Sequence, residues 1–166
     1  MSAYFELSES KAIEQYKKIE DITDIVSYSN KTNPEVTKIL EKNTNCLFSV
    51  HSVNELKGIS DKSRVLFLAQ AWDQKLIKEL TDMKIGSFVV DNKPDLDELL
   101  NFLDNTDIKI NLLLRVKLKE NTIRTEKYYV FGMSAETVNN RLKELKNNDC
   151  SSNDVRNFVS IKLEKN

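Results

Sequence analysis

Short apolar runs alternate with helix-like segments along most of this chain, and that alternation constrains its fold more than any other feature. Five runs have the length and composition of β-strands, and they occupy residues 25–29, 46–50, 64–69, 87–91 and 110–116. A sixth strand is predicted to begin at residues 158–161. Segments typical of helices lie at residues 8–20, 34 onward, 53 onward, 73–83, 94–103 and 138–145. The pattern predicts right-handed βαβ units with parallel strands.

The helix that follows the first strand has a well-defined start. Asn33 is of a type that caps helices, Pro34 suits the first helical turn, and Glu35 suits the positive end of a helix. Lys31 therefore lies where a strand ends and a helix is about to begin. Residues 52–55, Ser-Val-Asn-Glu, form a capping-box pattern that predicts the start of the next helix.

The strand runs are almost continuously apolar, which is typical of a sheet covered on both faces. Periodicity leaves two architectures open, an open doubly wound sheet and part of a β/α barrel. With 166 residues, the chain is shorter than the roughly 250 that a complete eight-unit barrel needs. No linker divides the sequence, so we predict a single domain over residues 1–166. In both architectures functional side chains gather at the carboxyl ends of the strands.

Composition argues against several classes of protein. The net charge is -1, from 25 basic and 26 acidic residues, so a nucleic-acid or anionic-membrane partner is not expected. Two distant cysteines, Cys46 and Cys150, do not make a disulfide framework, and no run suggests a signal peptide or a membrane span. We therefore expect a cytoplasmic protein. One histidine and separated cysteines predict no metal site, and three scattered glycines predict no Gly-rich nucleotide loop.

Side chains at the predicted strand ends are the candidates for chemistry. Lys31, in an apolar cavity, would attack a carbonyl, or else it is a surface lysine. His51, the single histidine, would stack on a ring or move protons, or else it packs or lies on the surface. Asp91 would contact a ligand or cap the following helix, and we expect the cap. Arg115 follows an apolar strand and needs a partner if it is buried. Trp72 would line a ligand pocket or belong to the core.

Residues 27–34, Ser-Tyr-Ser-Asn-Lys-Thr-Asn-Pro, resemble a strand-end segment of a known enzyme family. The family segment reads Tyr-Ala-Val-Lys-Ala-Asn-Pro and belongs to the N-terminal barrel of the pyridoxal-phosphate (PLP) dependent ornithine, arginine and diaminopimelate decarboxylases, a fold shared in outline with alanine racemase. Four further segments resemble the family in the same order, at residues 48–56, 89–99, 114–116 and 131–134. Five segments in register, spanning residues 25–145, are specific for the fold.

The resemblance implies both a fold and a function. The fold is α/β, with parallel β/α units forming a partial TIM-type barrel of five or six of the eight strands. The function is PLP-dependent decarboxylation of a basic or diamino acid, with Lys31 forming the Schiff base and His51, Asp91 and Arg115 lining the cofactor site. A homodimer or a second polypeptide would complete the barrel.

The sequence departs from the family at several positions. Ser49 stands where the family has an aspartate, Val130 where it has a lysine that helps to pair subunits, and Lys162 aligns with the histidine that stacks on the cofactor. The Gly-rich phosphate loop, the Glu-Pro-Gly-Arg-like segment and the C-terminal β-domain are not recognisable. We therefore expect a truncated or split relative. A racemase or PLP-carrier relative and a non-catalytic interaction protein of the same fold remain as alternatives.

Overall fold

A computed structural model describes residues 6–68, 70–117 and 131–148 of the protein. The chain divides into two compact units. The N-terminal unit comprises Met1–Leu68 and Met83–Ile85, and the C-terminal unit comprises Ala69–Asp82 and Gly86–Asn166. A single domain over residues 1–166 stays a prediction.

The N-terminal unit is built on three short parallel strands. Helix α1 spans Glu9–Glu20, strand β1 Ser27–Ser29, helix α2 Pro34–Asn43 and strand β2 Leu47–Val50. Two 3-10 helices at Val53–Gly58 and Lys62–Arg64 then lead into strand β3, Val65–Phe67. Strand β2 pairs in parallel with β1 on one side and β3 on the other, with Ser29 opposite Ser49 and Ser49 opposite Leu66.

The C-terminal unit repeats the same arrangement. It contains α3 at Gln74–Asp82, β4 at Ser87–Val90, α4 at Lys93–Leu103, β5 at Asn111–Leu114 and α5 at Ala135–Asn148. Strands β4 and β5 are parallel, with Val90 opposite Leu114. In each unit, helices connect parallel strands, as the sequence predicts.

Both units bury alternate strand residues. Phe48 and Val50 are fully buried in the N-terminal unit, and Phe88, Val90 and Leu114 are buried in the C-terminal unit. The residues between them, such as Ser49 and Val89, are only half-buried. In strand β3, by contrast, all three residues are buried, which agrees with the continuous apolar run there.

Helix α2 has defined ends. Asn33 is its N-cap and accepts the Glu35 N–H at 3.1 Å, and Pro34 occupies the first turn, as predicted. At the other end the Arg64 guanidinium donates to the carbonyl oxygens of Glu41 at 2.8 Å, Thr44 at 2.9 Å and Cys46 at 2.6 Å. These bonds satisfy carbonyls at and beyond the helix terminus.

Two local expectations were wrong. Residues 52–55 do not open an α-helix, because the Glu55 N–H bonds to the Ser52 carbonyl at 3.1 Å, an i to i+3 contact that winds this segment as a 3-10 helix. Asp91 does not cap helix α4. The cap is Asn92, whose side chain accepts the Asp95 N–H at 2.9 Å, because the helix begins one residue further along.

Several predicted boundaries were also too wide or too narrow. The third strand lacks Arg64, which lies in a 3-10 turn, and the fifth ends at Leu114 instead of Val116. Helix α5 is longer than predicted. The predicted sixth strand, Val130, Cys150 and Lys162 all lie outside the described residues. Within the described part of the chain, no helix is long and apolar enough to cross a membrane.

Candidate functional site

Lys31 lies in a tight turn between strand β1 and helix α2. The Thr32 N–H donates to the Ser29 carbonyl at 3.1 Å, which closes the four-residue turn around Asn30 and Lys31. The side chain of Lys31 is exposed. The position at a strand end agrees with the sequence prediction. The surroundings are those of a surface lysine within the N-terminal unit, not those of an apolar cavity.

Asn30, next to Lys31, is almost completely buried, with 2% of its surface exposed. Its backbone N–H donates to the Ser49 carbonyl at 3.1 Å, and its side-chain amide nitrogen donates to the Glu55 carbonyl at 3.2 Å. Its side-chain oxygen accepts the Thr37 hydroxyl at 2.7 Å, and Thr37 is itself fully buried. The residue before Lys31 is therefore bonded to β2, to the following 3-10 helix and to α2. Sequence reasoning did not identify this residue.

His51 directly follows strand β2 and is exposed. Its backbone N–H donates to one oxygen of the Glu55 carboxylate at 3.4 Å, and the Ser52 hydroxyl donates to the other at 3.1 Å. Because β1 and β2 are parallel, Lys31 and His51 follow strands that end at the same edge of this unit. Glu55 thus holds the backbone that carries His51.

The partly buried hydroxyls of Ser27 and Ser49 lie 2.7 Å apart across strands β1 and β2. Ser49 occupies the position of the family aspartate, so an uncharged hydroxyl pair stands where that resemblance implies a carboxylate. Tyr28, the middle residue of β1, donates its hydroxyl to the Asn33 carbonyl at 3.3 Å. Burial raises the pKa of Tyr28, so its hydroxyl stays protonated and able to donate at neutral pH.

Asp91 directly follows strand β4 in the C-terminal unit and is half-buried. One carboxylate oxygen accepts from the Gln70 side chain at 3.2 Å, and the other accepts from the Asn92 side chain at 3.0 Å. Asn92 also donates to Asp95 at 2.6 Å. These contacts fix the direction of the Asp91 carboxylate.

Asp95 is a buried carboxylate that sequence reasoning missed. It is 5% exposed and accepts the backbone N–H groups of Ala71 at 3.2 Å and Trp72 at 2.9 Å. Ala71 has a φ of 57, a left-handed conformation that these bonds help to hold. Trp72 is buried, with its ring 5.4 Å from that of Phe88 in an edge-to-face contact, which supports the core interpretation of Trp72.

Arg115 directly follows strand β5 and is half-buried, with its guanidinium carbon 5.3 Å from the centre of the Phe131 ring. Its backbone N–H donates to the Val90 carbonyl, and its carbonyl accepts the Met133 N–H, both at 2.9 Å. Gly132 has a φ of +104, and a Cβ there would lie 2.9 Å from the Lys117 nitrogen. The backbone of residues 115–117 therefore approaches this glycine closely.

The structure places four of the candidates just after the end of a strand. Lys31 and His51 belong to the N-terminal unit, and Asp91 and Arg115 belong to the C-terminal unit. Among the described residues, no group of three or more His, Cys, Asp or Glu side chains is arranged to hold a metal ion.

Comparison with known proteins gives a likeness in structure alone, since no protein-family model and no curated protein sequence matches the chain. The lysine decarboxylase of Selenomonas ruminantium matches with a TM-score of 0.65 and 19% identity, over 84% of this chain and 37% of that one. The ornithine decarboxylase of Entamoeba histolytica gives 0.60 and 19%, over 84% and 38%. The arginine decarboxylase of Paramecium bursaria Chlorella virus gives 0.61 and 15%, over 85% and 38%.

These likenesses establish the fold. The chain has the parallel β/α barrel-type fold of decarboxylases that act on lysine, ornithine and arginine, and it spans a little over a third of the length of each. The resemblance read from the sequence is therefore confirmed at the level of fold.

Proposed function

We propose that this chain is the PLP-binding part of a decarboxylase of basic amino acids, and that Lys31 holds the cofactor. The observation that carries the proposal is the position of Lys31 at the carboxyl end of β1, in a chain whose fold matches lysine, ornithine and arginine decarboxylases. Functional groups in folds of this type gather at that end of the strands.

The side chains at the strand ends suit different parts of PLP. The Lys31 amine is exposed, so an aldehyde is able to reach it. The imidazole of His51 offers a flat surface for an aromatic ring, and the Arg115 guanidinium offers a fixed cation for an anionic group. The Asp91 carboxylate, held by Gln70 and Asn92, offers an oriented acceptor for a cationic group. These properties support the proposal, made from the resemblance to the decarboxylases, that the four side chains contact the cofactor.

PLP, when bound, supplies the electron sink that decarboxylation of an amino acid requires. The residues of this chain would supply attachment and orientation. Lys31 would hold the aldehyde end, and His51 would lie against the ring. Arg115, steadied by its contact with Phe131, would orient an anion. Asp91 would meet a positive charge of the cofactor or of a basic substrate.

The proposal also includes a partner and a location. A chain that matches 37% of the length of a lysine decarboxylase would need further elements for a whole reaction. We propose that a homodimer or a second polypeptide supplies them, in the cytoplasm.

Covalent trapping tests the assignment of Lys31. Purified protein is mixed with PLP, reduced with borohydride, digested and mapped by mass spectrometry. We expect the label on Lys31, its loss in Lys31→Ala and its retention in Lys18→Ala. Lys18 is a matched control, because it is an exposed lysine, at 59%, on helix α1. Label spread evenly over exposed lysines would contradict the proposal.

The exposure of Lys31 favours a second candidate, a non-catalytic interaction protein with the same fold. An exposed lysine does not lie in the apolar cavity in which Lys31 was expected to attack a carbonyl. In that case light scattering would show a stable homo-oligomer whose mass does not change when PLP is added, and trapping would find no preferred lysine.

A further inference from the structure

The turn that carries Lys31 is anchored by one buried side chain. Asn30 is 2% exposed, and its backbone N–H, its amide nitrogen and its amide oxygen each make a hydrogen bond to a different element. Burying an amide is unfavourable unless its polar atoms are bonded. The three partners therefore determine both where Asn30 lies and how its side chain is turned.

The shortest of these bonds comes from helix α2. The Thr37 hydroxyl donates to the Asn30 amide oxygen at 2.7 Å, and Thr37 is 0% exposed. Thr37 is the seventh residue after Asn30, so the bond closes the loop that contains Lys31. The Glu55 carbonyl, which accepts from the Asn30 amide nitrogen at 3.2 Å, holds the other side.

Lys31 follows Asn30 directly, inside the turn closed by the Thr32 N–H and the Ser29 carbonyl. Its backbone has little freedom as long as Asn30 stays bonded. The bonds that hold this turn are made by Asn30 and by the backbones of Ser29 and Thr32. The long side chain of Lys31 is exposed. The direction in which that side chain leaves the sheet edge is therefore set by its neighbour.

We propose that Asn30 is a positioning residue for Lys31, and that the Thr37 hydroxyl sets the orientation of Asn30. The proposal rests on the proposed function in so far as Lys31 is the residue that holds PLP. An apolar side chain at position 30 would fill the same space, but it would not be fixed in direction by donors and acceptors on three elements.

Thr37→Val is the sharpest test, because it removes the hydroxyl and keeps the shape. Thr81→Val is the matched control. Thr81 is 8% exposed, and its hydroxyl bonds only to carbonyls of its own helix, those of Ile77 and Lys78. Thr37→Ser keeps the hydroxyl and should restore wild-type behaviour.

Two readouts are measured on the full chain. The first is the ratio of borohydride-trapped PLP on Lys31 to that on Lys18 in the same molecule. The second is the amide hydrogen-exchange rate of Thr32, which needs no cofactor. Losing one net hydrogen bond should lower the labelling ratio and speed the exchange by about three- to tenfold in Thr37→Val. Thr81→Val and Thr37→Ser should leave both unchanged.

The two proposals fail in distinguishable ways. A wild-type protein without preferential label on Lys31 would refute the proposed function, and faster Thr32 exchange in Thr37→Val would still support the positioning role. A folded Thr37→Val protein with the wild-type labelling ratio and the wild-type Thr32 exchange rate would overturn the positioning role and leave the proposed function standing.

Discussion

The Asp95 carboxylate accepts the backbone N–H of Trp72 at 2.9 Å and so ties the segment before α3 to the first turn of α4. The same carboxylate accepts from Ala71 and from the side chain of Asn92, which in turn donates to Asp91. The buried Asp95 therefore helps to orient the Asn92 side chain, and through Asn92 it influences the candidate site residue Asp91.

Removing that acid should destabilise the protein strongly. Asp95→Ala leaves the N–H groups of Ala71 and Trp72 without their acceptor, and we expect the free energy of unfolding to fall by about 2–4 kcal/mol. Urea unfolding followed by Trp72 fluorescence measures the change. Asp82→Ala is the control, since Asp82 is 64% exposed and pairs only with Lys78 on the surface, and it should cost less than about 1 kcal/mol. Equal effects in the two variants would contradict the role given to Asp95.

Gly132 should not tolerate a side chain. In Gly132→Ala the Cβ would meet the backbone of residues 115–117 at 2.9 to 3.1 Å, at a φ of +104 that alanine rarely adopts. We expect a loss of about 1–3 kcal/mol in the free energy of unfolding, measured by urea titration. Gly58→Ala is the matched control, because nothing lies within 4 Å of a Cβ there. It should leave stability unchanged or slightly higher, and a comparable loss at Gly58 would show that the contact with residues 115–117 is not the cause.

Tyr16 should make stability depend on pH in the alkaline range. Burial, and then the hydrogen bond to Glu20, raise the pKa of Tyr16 from 10.0 to about 12. The unfolded chain releases this proton at the lower pH, so the stabilisation from Tyr16 is complete below pH 10 and is lost as the pH rises towards 12. Over that window the free energy of unfolding should fall by up to about 2–3 kcal/mol more in the wild type than in Tyr16→Phe. Parallel pH curves for the two proteins would rule the effect out.

Features encoded by neighbouring residues were predicted well from the sequence. The alternation of strands and helices, the Asn33 cap and the place of Lys31 between a strand and a helix depend on residues close together in the chain. Where two neighbouring residues were equally suitable as the N-cap of a helix, the sequence did not show which of them would be the cap. Asp91 and Asn92 are adjacent cap-forming types, and only the start of α4 selects Asn92.

Features that depend on distant partners were not predictable. Asp95 acts through backbone groups 23 and 24 residues earlier, and Asn30 acts through Thr37 and Glu55, so neither has a local signature. Strand ends were misplaced for the same reason, because pairing with a neighbouring strand decides where each one stops. The exposure of Lys31 likewise follows from packing and not from its place in the segment.

The bond between Thr37 and Asn30 has a consequence for how this sequence is able to change over time. An apolar residue at position 30 would leave the buried Thr37 hydroxyl without its acceptor. An apolar residue at position 37 would leave the buried amide oxygen of Asn30 without its donor. Either single exchange leaves one partner of this bond buried and unpaired, whereas the double exchange removes both partners and should cost less than the two single exchanges added together. We therefore expect positions 30 and 37 to covary: among related sequences, the residue type at one position should predict the residue type at the other.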